Sequence, residues 1–262
     1  MNFNHQFKKK FGQNFISDKN LLNAIVADAN VTKEDSVLEI GAGAGTLTSA
    51  ISERAKEVVS FEIDPDLKEH LENLNLQNVK FVFEDVMSVP LDKIENCFKG
   101  GYKMIANLPY YITTPIIFKF LNGSQKIESL TIMVQKEVAE RIVAQSGSKD
   151  YGVLSVMIAF FGEAEITRIV KRNMFYPIPN VDSAIVNIKI NRDKFASIDG
   201  EKFYSFIGGC FAMRRKTLKN NLIKLLGADS QNLSRIPENL LALRPEMLSL
   251  NDFVNLFEII YK

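Results

Sequence analysis

The chain has 262 residues, 46% hydrophobic and 24% charged, and its 32 Lys and Arg against 31 Asp and Glu leave a formal net charge of +1. This composition indicates a globular protein with a substantial core and excludes disordered, collagen-like and coiled-coil classes. No apolar run approaches the roughly 20 residues that cross a membrane, and no apolar signal-like stretch follows the basic N-terminus. Cys97 and Cys210 lack metal-site spacing. We therefore expect a cytoplasmic protein with reduced thiols, no metal and no membrane partner.

Charge is distributed unevenly along the chain. Residues 31–100 hold 14 acidic and 7 basic side chains, a balance of −7, whereas residues 168–224 hold 12 basic and 4 acidic ones, a balance of +8. Lys8, Lys9 and Lys10 add three positive charges near the N-terminus. Local charge sets the field that a polyanion meets. A nucleic-acid partner and a set of solvated helix faces explain this pattern about equally well.

In chain order, strands alternate with helices through the first half of the sequence. The predicted strands cover residues 36–40, 58–63, 79–83, 102–106 and 130–134. Two predicted helices cover residues 46–55 and 115–121, and two more begin at residues 64–65 and at residue 136. This alternation predicts an α/β fold whose parallel sheet is covered on both faces. Ligands of such sheets bind at the carboxyl ends of the strands. A glycine run at 41–45, Glu62, Asp85 and Asn107 all lie at such ends.

After about residue 191 the spacing becomes helical. The predicted helices there cover residues 202–213, 215–226, 237–242 and 251–261. We therefore predict two domains, a Rossmann-like sheet domain over residues 1–192 and a small all-helical domain over residues 193–262.

The glycine turn after the first strand has the pattern Glu39-x-Gly-x-Gly-x-Gly45. Such a turn brings backbone N–H groups to a polar ligand. A dinucleotide fingerprint would need Gly or Ala where this chain has Thr46 or Thr48, and the Lys-Ser/Thr of a triphosphate loop is also missing. The turn instead resembles the first motif of methyltransferases that use S-adenosylmethionine, which would make Gly41 and Gly43 cofactor contacts. A tight turn without a ligand is the alternative interpretation.

Two carboxylates extend this hypothesis. Glu62 closes the second strand, where a carboxylate can accept both ribose hydroxyls of a nucleoside. Asp85 closes the third strand, where its side chain can meet an adenine amino group. For either residue alone, capping the following helix or turn is an equally good explanation.

The tetrapeptide Asn107-Leu108-Pro109-Tyr110 indicates the chemistry. It resembles the motif of methyltransferases that modify exocyclic amino groups of nucleic-acid bases. The Asn107 side-chain oxygen and the Leu108 carbonyl can accept the amino N–H bonds and localise the nitrogen lone pair. Pro109 restricts Leu108 to extended geometry, and Tyr110 can stack on the base. A displacement of this kind needs positioning more than a strong base, so no histidine is assigned.

Phe175 lies in Asn173-Met-Phe-Tyr-Pro177 and is a candidate for stacking on the other face of an extruded adenine. With 19 Phe in the chain, a core position explains Phe175 almost equally well.

Taken together, these motifs resemble the small-subunit (16S-type) ribosomal RNA adenine N6,N6-dimethyltransferase family. Seven ordered blocks carry the resemblance, at residues 10–15, 39–45, 107–115, 133–138, 151–156, 175–183 and 211–218. The resemblance implies S-adenosylmethionine as methyl donor, and the small ribosomal subunit or its rRNA as partner. It implies dimethylation of two adjacent adenosines near the 3′ end of that rRNA, a role in subunit assembly and a monomer.

The family's functional residues carry over to positions of this chain. The implied cofactor contacts are Asn14, Ile16, Gly41, Glu62, Asp85 and Asn107, of which Asn14 and Ile16 rest on the resemblance alone. Positive charge for RNA phosphates is expected at Arg214, Arg215, Lys216 and Lys219, on a helix, and at Lys8, Lys9 and Lys10. Ile16 and Ala42 replace a frequent Leu and a frequent Pro without altering these roles.

Three alternatives differ in function. A sister group that methylates one large-subunit adenosine and confers antibiotic resistance shares the cofactor turn, but residues 135–137 and 214–221 fit the small-subunit group better. A non-catalytic RNA-binding assembly factor would not need Glu62, Asp85, Asn107 and Tyr110 together. An NAD oxidoreductase is disfavoured by Thr46 and Thr48.

Overall fold

The computed structural model describes residues 15–109, 112–228 and 231–262. Its β-strands are β1 Phe15–Ile16, β2 Ser36–Ile40, β3 Glu57–Phe61, β4 Val79–Val82, β5 Tyr102–Asn107, β6 Ile127–Gln135, β7 Gly162–Val170, β8 Phe175–Tyr176 and β9 Ser183–Ile190. Its α-helices are α1 Lys19–Asp28, α2 Thr46–Ser52, α3 Lys68–Glu72, α4 Leu91–Glu95, α5 Thr113–Gly123, α6 Lys136–Ile142, α7 Val153–Phe161, α8 Gly200–Cys210, α9 Leu218–Leu226, α10 Glu238–Ala242 and α11 Leu250–Tyr261. No helix among these is long and apolar enough to span a bilayer.

A seven-stranded sheet forms the centre of the fold, in the order β4-β3-β2-β5-β6-β9-β7. The pairs β2–β3, β2–β5, β3–β4 and β5–β6 are parallel, with Leu38 opposite Val59 on one side and Met104 on the other. Every residue of β2 is buried. A strand buried on both faces is the expected consequence of helices covering both faces of a parallel sheet.

The sheet is mixed, which corrects the expectation of a parallel one. The five predicted strands are present and parallel, but β9 pairs antiparallel with β6, Leu130 lying opposite Ile188. Strands β7 and β9 were not predicted. In β7 the sequence GEAEITRIV places charged residues at every second or third position, and most of its side chains are half-buried or exposed, so its hydrophobic signal is weak.

A second, two-stranded sheet joins distant parts of the chain. Strand β1 pairs antiparallel with β8, so that Phe15 lies opposite Tyr176 and Ile16 opposite Phe175. Ile16 and Phe175 both belong to a buried cluster that also contains Ile105, Met133 and Ile185 of the large sheet. The pairing therefore anchors β1 on the core of the sheet.

The chain divides into two compact units. The first comprises the described residues up to Ala139 together with Ala164–Ile190, and the second comprises Glu140–Glu163 and Asn191–Lys262. The expected boundary after residue 192 lies close to the last of these divisions, but the placement of residues 140–163 in the second unit differs from the expectation. The reason is aromatic packing, because the Phe160 ring of α7 stacks on Phe203 and Phe195 with centroids 4.4 and 5.2 Å apart.

Helices dominate the second unit. The buried Phe203 and Phe206 of α8 each meet Phe257 of α11 edge-on, with centroids 5.5 and 5.6 Å apart. Helix α11 begins with a capping box in which Ser249 and Asp252 each accept the other's backbone N–H. The four predicted helices are present, although the second begins at Leu218 rather than at residue 215.

Candidate active site

The sheet order creates a crevice between β2 and β5. From β2 the chain proceeds outward through β3 to β4 and then returns to β5 on the other side of β2. At such a reversal of strand order, the connections after the two central strands diverge and leave an opening at the carboxyl ends. The glycine turn follows β2, and Asn107 is the last residue of β5.

A pocket occupies this crevice. Its walls come from the ends of β2 to β5 and from β1, and include Ile16, Gly41, Gly43, Glu62, Asp85, Asn107, Leu108 and Pro109. These are all the predicted cofactor-site and motif residues that the structure describes, apart from Phe175. Asn14 and Tyr110 lie outside the described residues.

The glycine turn has a backbone that glycine alone adopts readily. Gly41, Gly43 and Gly45 have φ angles of +85°, +56° and +74°, in the left-handed region that side chains disfavour. A Cβ atom on Gly43 would lie 2.8 Å from the Phe15 ring, and one on Gly45 would lie 3.0 Å from Leu71. The turn therefore packs tightly on its surroundings.

Glu62 holds the glycine turn from the neighbouring strand. One carboxylate oxygen accepts the Gly43 N–H at 2.8 Å and the other accepts the Asp64 N–H at 2.8 Å. Burial raises the pKa of Glu62, although these backbone donors act in the opposite direction. The Ile63 N–H also acts on this carboxylate, and a carboxylate has about four lone-pair sites, so Glu62 can still accept a hydroxyl group of a ligand in the pocket.

Asp85 is both a pocket residue and a turn cap. Its Oδ1 accepts the Met87 N–H at 2.9 Å, and the Ser88 N–H donates to the Asp85 carbonyl at 2.9 Å. The ligand role and the capping role, which the sequence leaves as alternatives, are therefore compatible in one side chain.

The acceptor end of the pocket is formed by Asn107, Leu108 and Pro109. Leu108 is buried, and Asn107 is half-buried at the end of β5. A Cβ atom on Gly41 would lie 3.4 Å from the Asn107 carbonyl oxygen, so the glycine turn runs alongside the motif. One pocket thus brings together the glycine turn, Glu62, Asp85 and the Asn107-Leu108-Pro109 motif.

Phe175 is not part of this pocket, which corrects the expectation of a stacking ring. It is 4% exposed and lies in the buried cluster with Ile16, Met133 and Ile185. Side chains alternate along a strand, and its neighbour Tyr176 is 68% exposed. Phe175 is a core aromatic in the same buried cluster as Ile16 of β1.

Several residues that shape the pocket were not predicted. Phe15, Ile63, Glu84, Val86 and Ile112 line it. Ile63 is 41% exposed. Its position directly after Glu62 is the sequence feature that could have predicted it as a pocket residue. His70 received no role from the sequence, but its Nε2 donates to the Ala44 carbonyl of the glycine turn at 3.1 Å.

Glu39 lies beneath the site rather than in it. The side chain is fully buried, and its Oε2 accepts the hydroxyls of Thr48 and Ser60 at 2.6 and 2.5 Å. Its Oε1 has no hydrogen-bond partner in the described part of the chain. Burial raises the pKa of Glu39 to about 7, and the nearby Glu62 carboxylate adds to the effect. Glu39 thus connects β2, α2 and β3 below the pocket.

The predicted RNA-binding residues fall in two places. Lys8, Lys9 and Lys10 lie outside the described residues. Arg214, Arg215, Lys216 and Lys219 are exposed in the second unit. The first three occupy the turn between α8 and α9, and only Lys219 lies on α9, which corrects the expectation that all four share a helix. The Arg214 guanidinium donates to the Lys149 carbonyl at 3.1 Å.

Known proteins resemble the chain over nearly its whole length. Residues 4–262 match the family described as "Ribosomal RNA adenine dimethylase". The chain is 41% identical to "Ribosomal RNA small subunit methyltransferase A" of Ligilactobacillus salivarius, over 98% of this chain and 90% of that protein. It is 42% identical to the protein of the same name from Listeria monocytogenes, over 95% of this chain and 89% of that protein.

Solved structures show the same likeness. The crystal structure of a dimethyladenosine transferase from Plasmodium falciparum has a TM-score of 0.80 at 25% identity, covering 93% of this chain and 96% of that one. The crystal structure of the 23S rRNA methyltransferase ErmE has a TM-score of 0.66 at 27% identity, covering 95% of this chain and 100% of that one. The α/β methyltransferase architecture expected from the sequence is confirmed.

Proposed function

The chain belongs to the ribosomal RNA adenine dimethylase family, and from this premise we propose that it dimethylates N6 of two adjacent adenosines near the 3′ end of small-subunit rRNA. The observation that carries the proposal is the pocket at the carboxyl ends of β2 and β5. There the glycine turn, Glu62 and Asp85 adjoin Asn107, Leu108 and Pro109. A cofactor cradle and an amino-group acceptor site share one cavity.

The residues of the pocket fit S-adenosylmethionine. Gly41 and Gly43 line the cavity with backbone only, and a side chain at Gly43 would collide with the Phe15 ring. Glu62 can accept the ribose hydroxyls, Asp85 the adenine amino group, and Ile16 an apolar contact, since all line one cavity. When bound, this cofactor supplies an electrophilic methyl group on a sulfonium centre.

Asn107 and Leu108 provide the chemistry on the acceptor side. The adenine N6 lone pair is delocalised into the ring, so the nitrogen is a weak nucleophile. The Asn107 side-chain oxygen and the Leu108 carbonyl accept the two amino N–H bonds, which localises the lone pair and directs it at the methyl carbon. Tyr110, next in the motif, is the candidate for stacking on the base. Methyl transfer to N6 would release the spent cofactor as a neutral thioether, which keeps the electron pair of the broken C–S bond, and one N6 proton to water.

Positioning accounts for the catalysis in this scheme. Holding two reactants in line lowers the activation free energy by up to about 7–11 kcal/mol. The leaving group is a neutral thioether, so neither a strong base nor a metal ion is needed. The target atom lies within stacked RNA, and the base must therefore be extruded into the pocket.

The small subunit is the preferred substrate. The relatives with 41% and 42% identity carry small-subunit names. The likeness to the large-subunit enzyme ErmE has the lower TM-score of the two structures, 0.66 against 0.80. Exposed Arg214, Arg215, Lys216 and Lys219 supply positive charge for rRNA phosphates, with Lys8, Lys9 and Lys10 as further candidates. We further propose a cytoplasmic monomer that also acts in small-subunit assembly.

Incubation with radiolabelled S-adenosylmethionine and, separately, unmethylated small and large subunits tests this function. N6,N6-dimethyladenosine in small-subunit rRNA alone is the expected product, identified by mass spectrometry. Label in the large subunit would favour the resistance-type activity, and label in neither would favour a binding factor.

A further inference from the structure

One side chain outside the pocket holds a pocket wall in place. Lys119 of α5 donates from Nζ to the carbonyls of Val86, Met87 and Val89, at 2.6, 3.2 and 2.6 Å. These carbonyls belong to residues 85–89, which we name the 85–89 turn. Lys119 is half-buried and does not line the pocket.

The 85–89 turn is held by the buried side chains of Val86 and Val89, and its backbone carbonyls are held by Lys119. It is neither helix nor strand, and it forms between the end of β4 and the start of α4. Its internal hydrogen bonds run from Met87 and Ser88 to Asp85. Three carbonyls that converge on one ammonium therefore define where the turn stands relative to α5. Hydrogen bonds that involve a charged group are stronger than those between neutral groups.

The turn carries the part of the pocket assigned to adenine. Asp85 and Val86 both line the cavity, and Val86 is one of the carbonyl acceptors of Lys119. The Asp85 carboxylate also interacts electrostatically with Lys119. A shift of the turn would move the carboxylate and the apolar wall together.

We propose that Lys119 is a positioning residue that sets the Asp85 carboxylate for recognition of the cofactor's adenine amino group. This inference rests on the proposed function, because it assumes that the pocket binds S-adenosylmethionine. Lys119 acts through the backbone of the 85–89 turn and touches neither cofactor nor rRNA base.

The chain offers a matched control. Lys126 is also half-buried, and its Nζ donates to the carbonyls of Glu95 and Phe98, both at 3.2 Å. Neither acceptor residue lines the pocket. Lys119→Met and Lys126→Met therefore each remove one carbonyl-binding ammonium, but only the first loosens a pocket wall.

The test measures, by calorimetry, how tightly the full chain binds the demethylated cofactor and an analogue of it that lacks the adenine amino group. S-adenosylhomocysteine has the adenine amino group, and S-inosylhomocysteine has an oxygen in its place. The wild type and Lys126→Met should prefer the first ligand by about tenfold or more, as loss of one hydrogen bond to a charged group predicts. Lys119→Met should reduce this preference to threefold or less, and Lys119→Arg, which keeps a charged donor, should recover most of it.

A double-variant cycle shows whether Lys119 acts through Asp85. In the Asp85→Asn background, Lys119→Met should leave the ratio of the two affinities unchanged. The positioning role would be overturned if Lys119→Met lowered the affinity for both ligands equally, or if its ratio of the two affinities matched that of Lys126→Met.

Hydrogen exchange of the ligand-free protein gives a second, independent reading. Amides of Met87 and Ser88 should exchange about tenfold faster or more in Lys119→Met than in Lys126→Met, and equal exchange would overturn the inference. If Lys119→Met does not fold, Lys119→Gln takes its place with the same expectations. Failure of the wild type to bind S-adenosylhomocysteine would contradict the proposed function itself, whereas binding without the Lys119 effect would refute only this inference.

Discussion

Asn107 is the residue on which the proposed chemistry depends most. It is the last residue of β5 and lines the pocket beside the glycine turn. We expect Asn107→Ala to lower kcat about 10²-fold or more, comparable to removal of one preorganised polar group from other active sites, with the fold and rRNA affinity retained.

Asn107→Asp is the matched variant, because it keeps an acceptor oxygen of the same reach. It should lose less activity than Asn107→Ala when methyl transfer to small subunits is measured under single-turnover conditions. Turnover by the Ala variant above a tenth of the wild-type rate would remove Asn107 from the mechanism.

Glu39 predicts a pH dependence of stability. Burial raises its pKa to about 7, against about 4.3 for an exposed glutamate, so the folded state binds the extra proton between these values. Its contribution to stability is therefore full below the unfolded pKa, declines as pH rises through about 7, and then levels off. Glu39→Gln keeps an oxygen for Thr48 and Ser60 but cannot ionise.

Urea unfolding at several pH values measures this effect. The free energy of unfolding of Glu39→Gln should gain on that of the wild type from about pH 4.5 to above pH 7. Parallel curves for the two proteins across that range would show that Glu39 does not titrate differently in the folded state.

Among the site residues, the strand-end polar groups were predictable and the packed ones were not. Glu62, Asp85 and Asn107 follow recognisable buried strands, and parallel strands end at one edge of a sheet. The burial of Phe175 depends on the pairing of β8 with β1, 159 residues earlier at Ile16, which no local pattern reveals. Lys119 carries no sequence signal, because its partners are backbone carbonyls.

At the scale of elements, the backbone conformation of the glycine turn after β2 depends on its three glycines, which all have positive φ angles. Gly45→Ala would place a methyl group at a φ of +74°, close to Leu74 and 3.0 Å from Leu71. The backbone conformation costs about 1–2 kcal/mol, and overpacking adds about 1–3 kcal/mol. We therefore expect the free energy of unfolding to fall by more than the backbone term alone.

Gly41→Ala is the control for this prediction. It shares the positive φ, +85°, but its nearest neighbour would be the Asn107 carbonyl oxygen at 3.4 Å, an ordinary contact. Urea denaturation of both variants separates the two costs. Equal destabilisation would show that Leu71 and Leu74 yield without strain.

Whether a segment is a helix or a strand was easier to predict than which strands pair and where each element begins. The five parallel strands were identified because buried strands leave short apolar runs between turn residues. The antiparallel β9 and its neighbour β7 were missed, since which strand pairs with which is decided over long sequence distances. Helix α9 begins at Leu218, after Thr217, rather than at residue 215, so three basic residues lie in a turn.

At the scale of the whole molecule, charge separates into segments that the net value of +1 conceals. We expect Arg214→Glu with Arg215→Glu to weaken rRNA binding and to flatten the plot of log affinity against log salt. Loss of two phosphate contacts should change the slope by roughly 1.4–1.8. Both side chains are exposed, so the fold should persist.

Arg54→Glu with Lys56→Glu is the matched double variant, because both side chains are exposed and lie in the acidic 31–100 segment. It changes the net charge by the same amount, and its slope should stay within experimental error of the wild type. Identical slopes for all three proteins would place the rRNA away from Arg214 and Arg215.

The central claim is that one pocket serves two adjacent adenosines of the small subunit, and counting methyl groups tests it most directly. Unmethylated small subunits would be exhausted with labelled S-adenosylmethionine, and the modified positions mapped by mass spectrometry of rRNA fragments. The account predicts four methyl groups per subunit, as two adjacent N6,N6-dimethyladenosines near the 3′ end. Methylation of a single adenosine, or of N6 positions elsewhere in the rRNA, would contradict it.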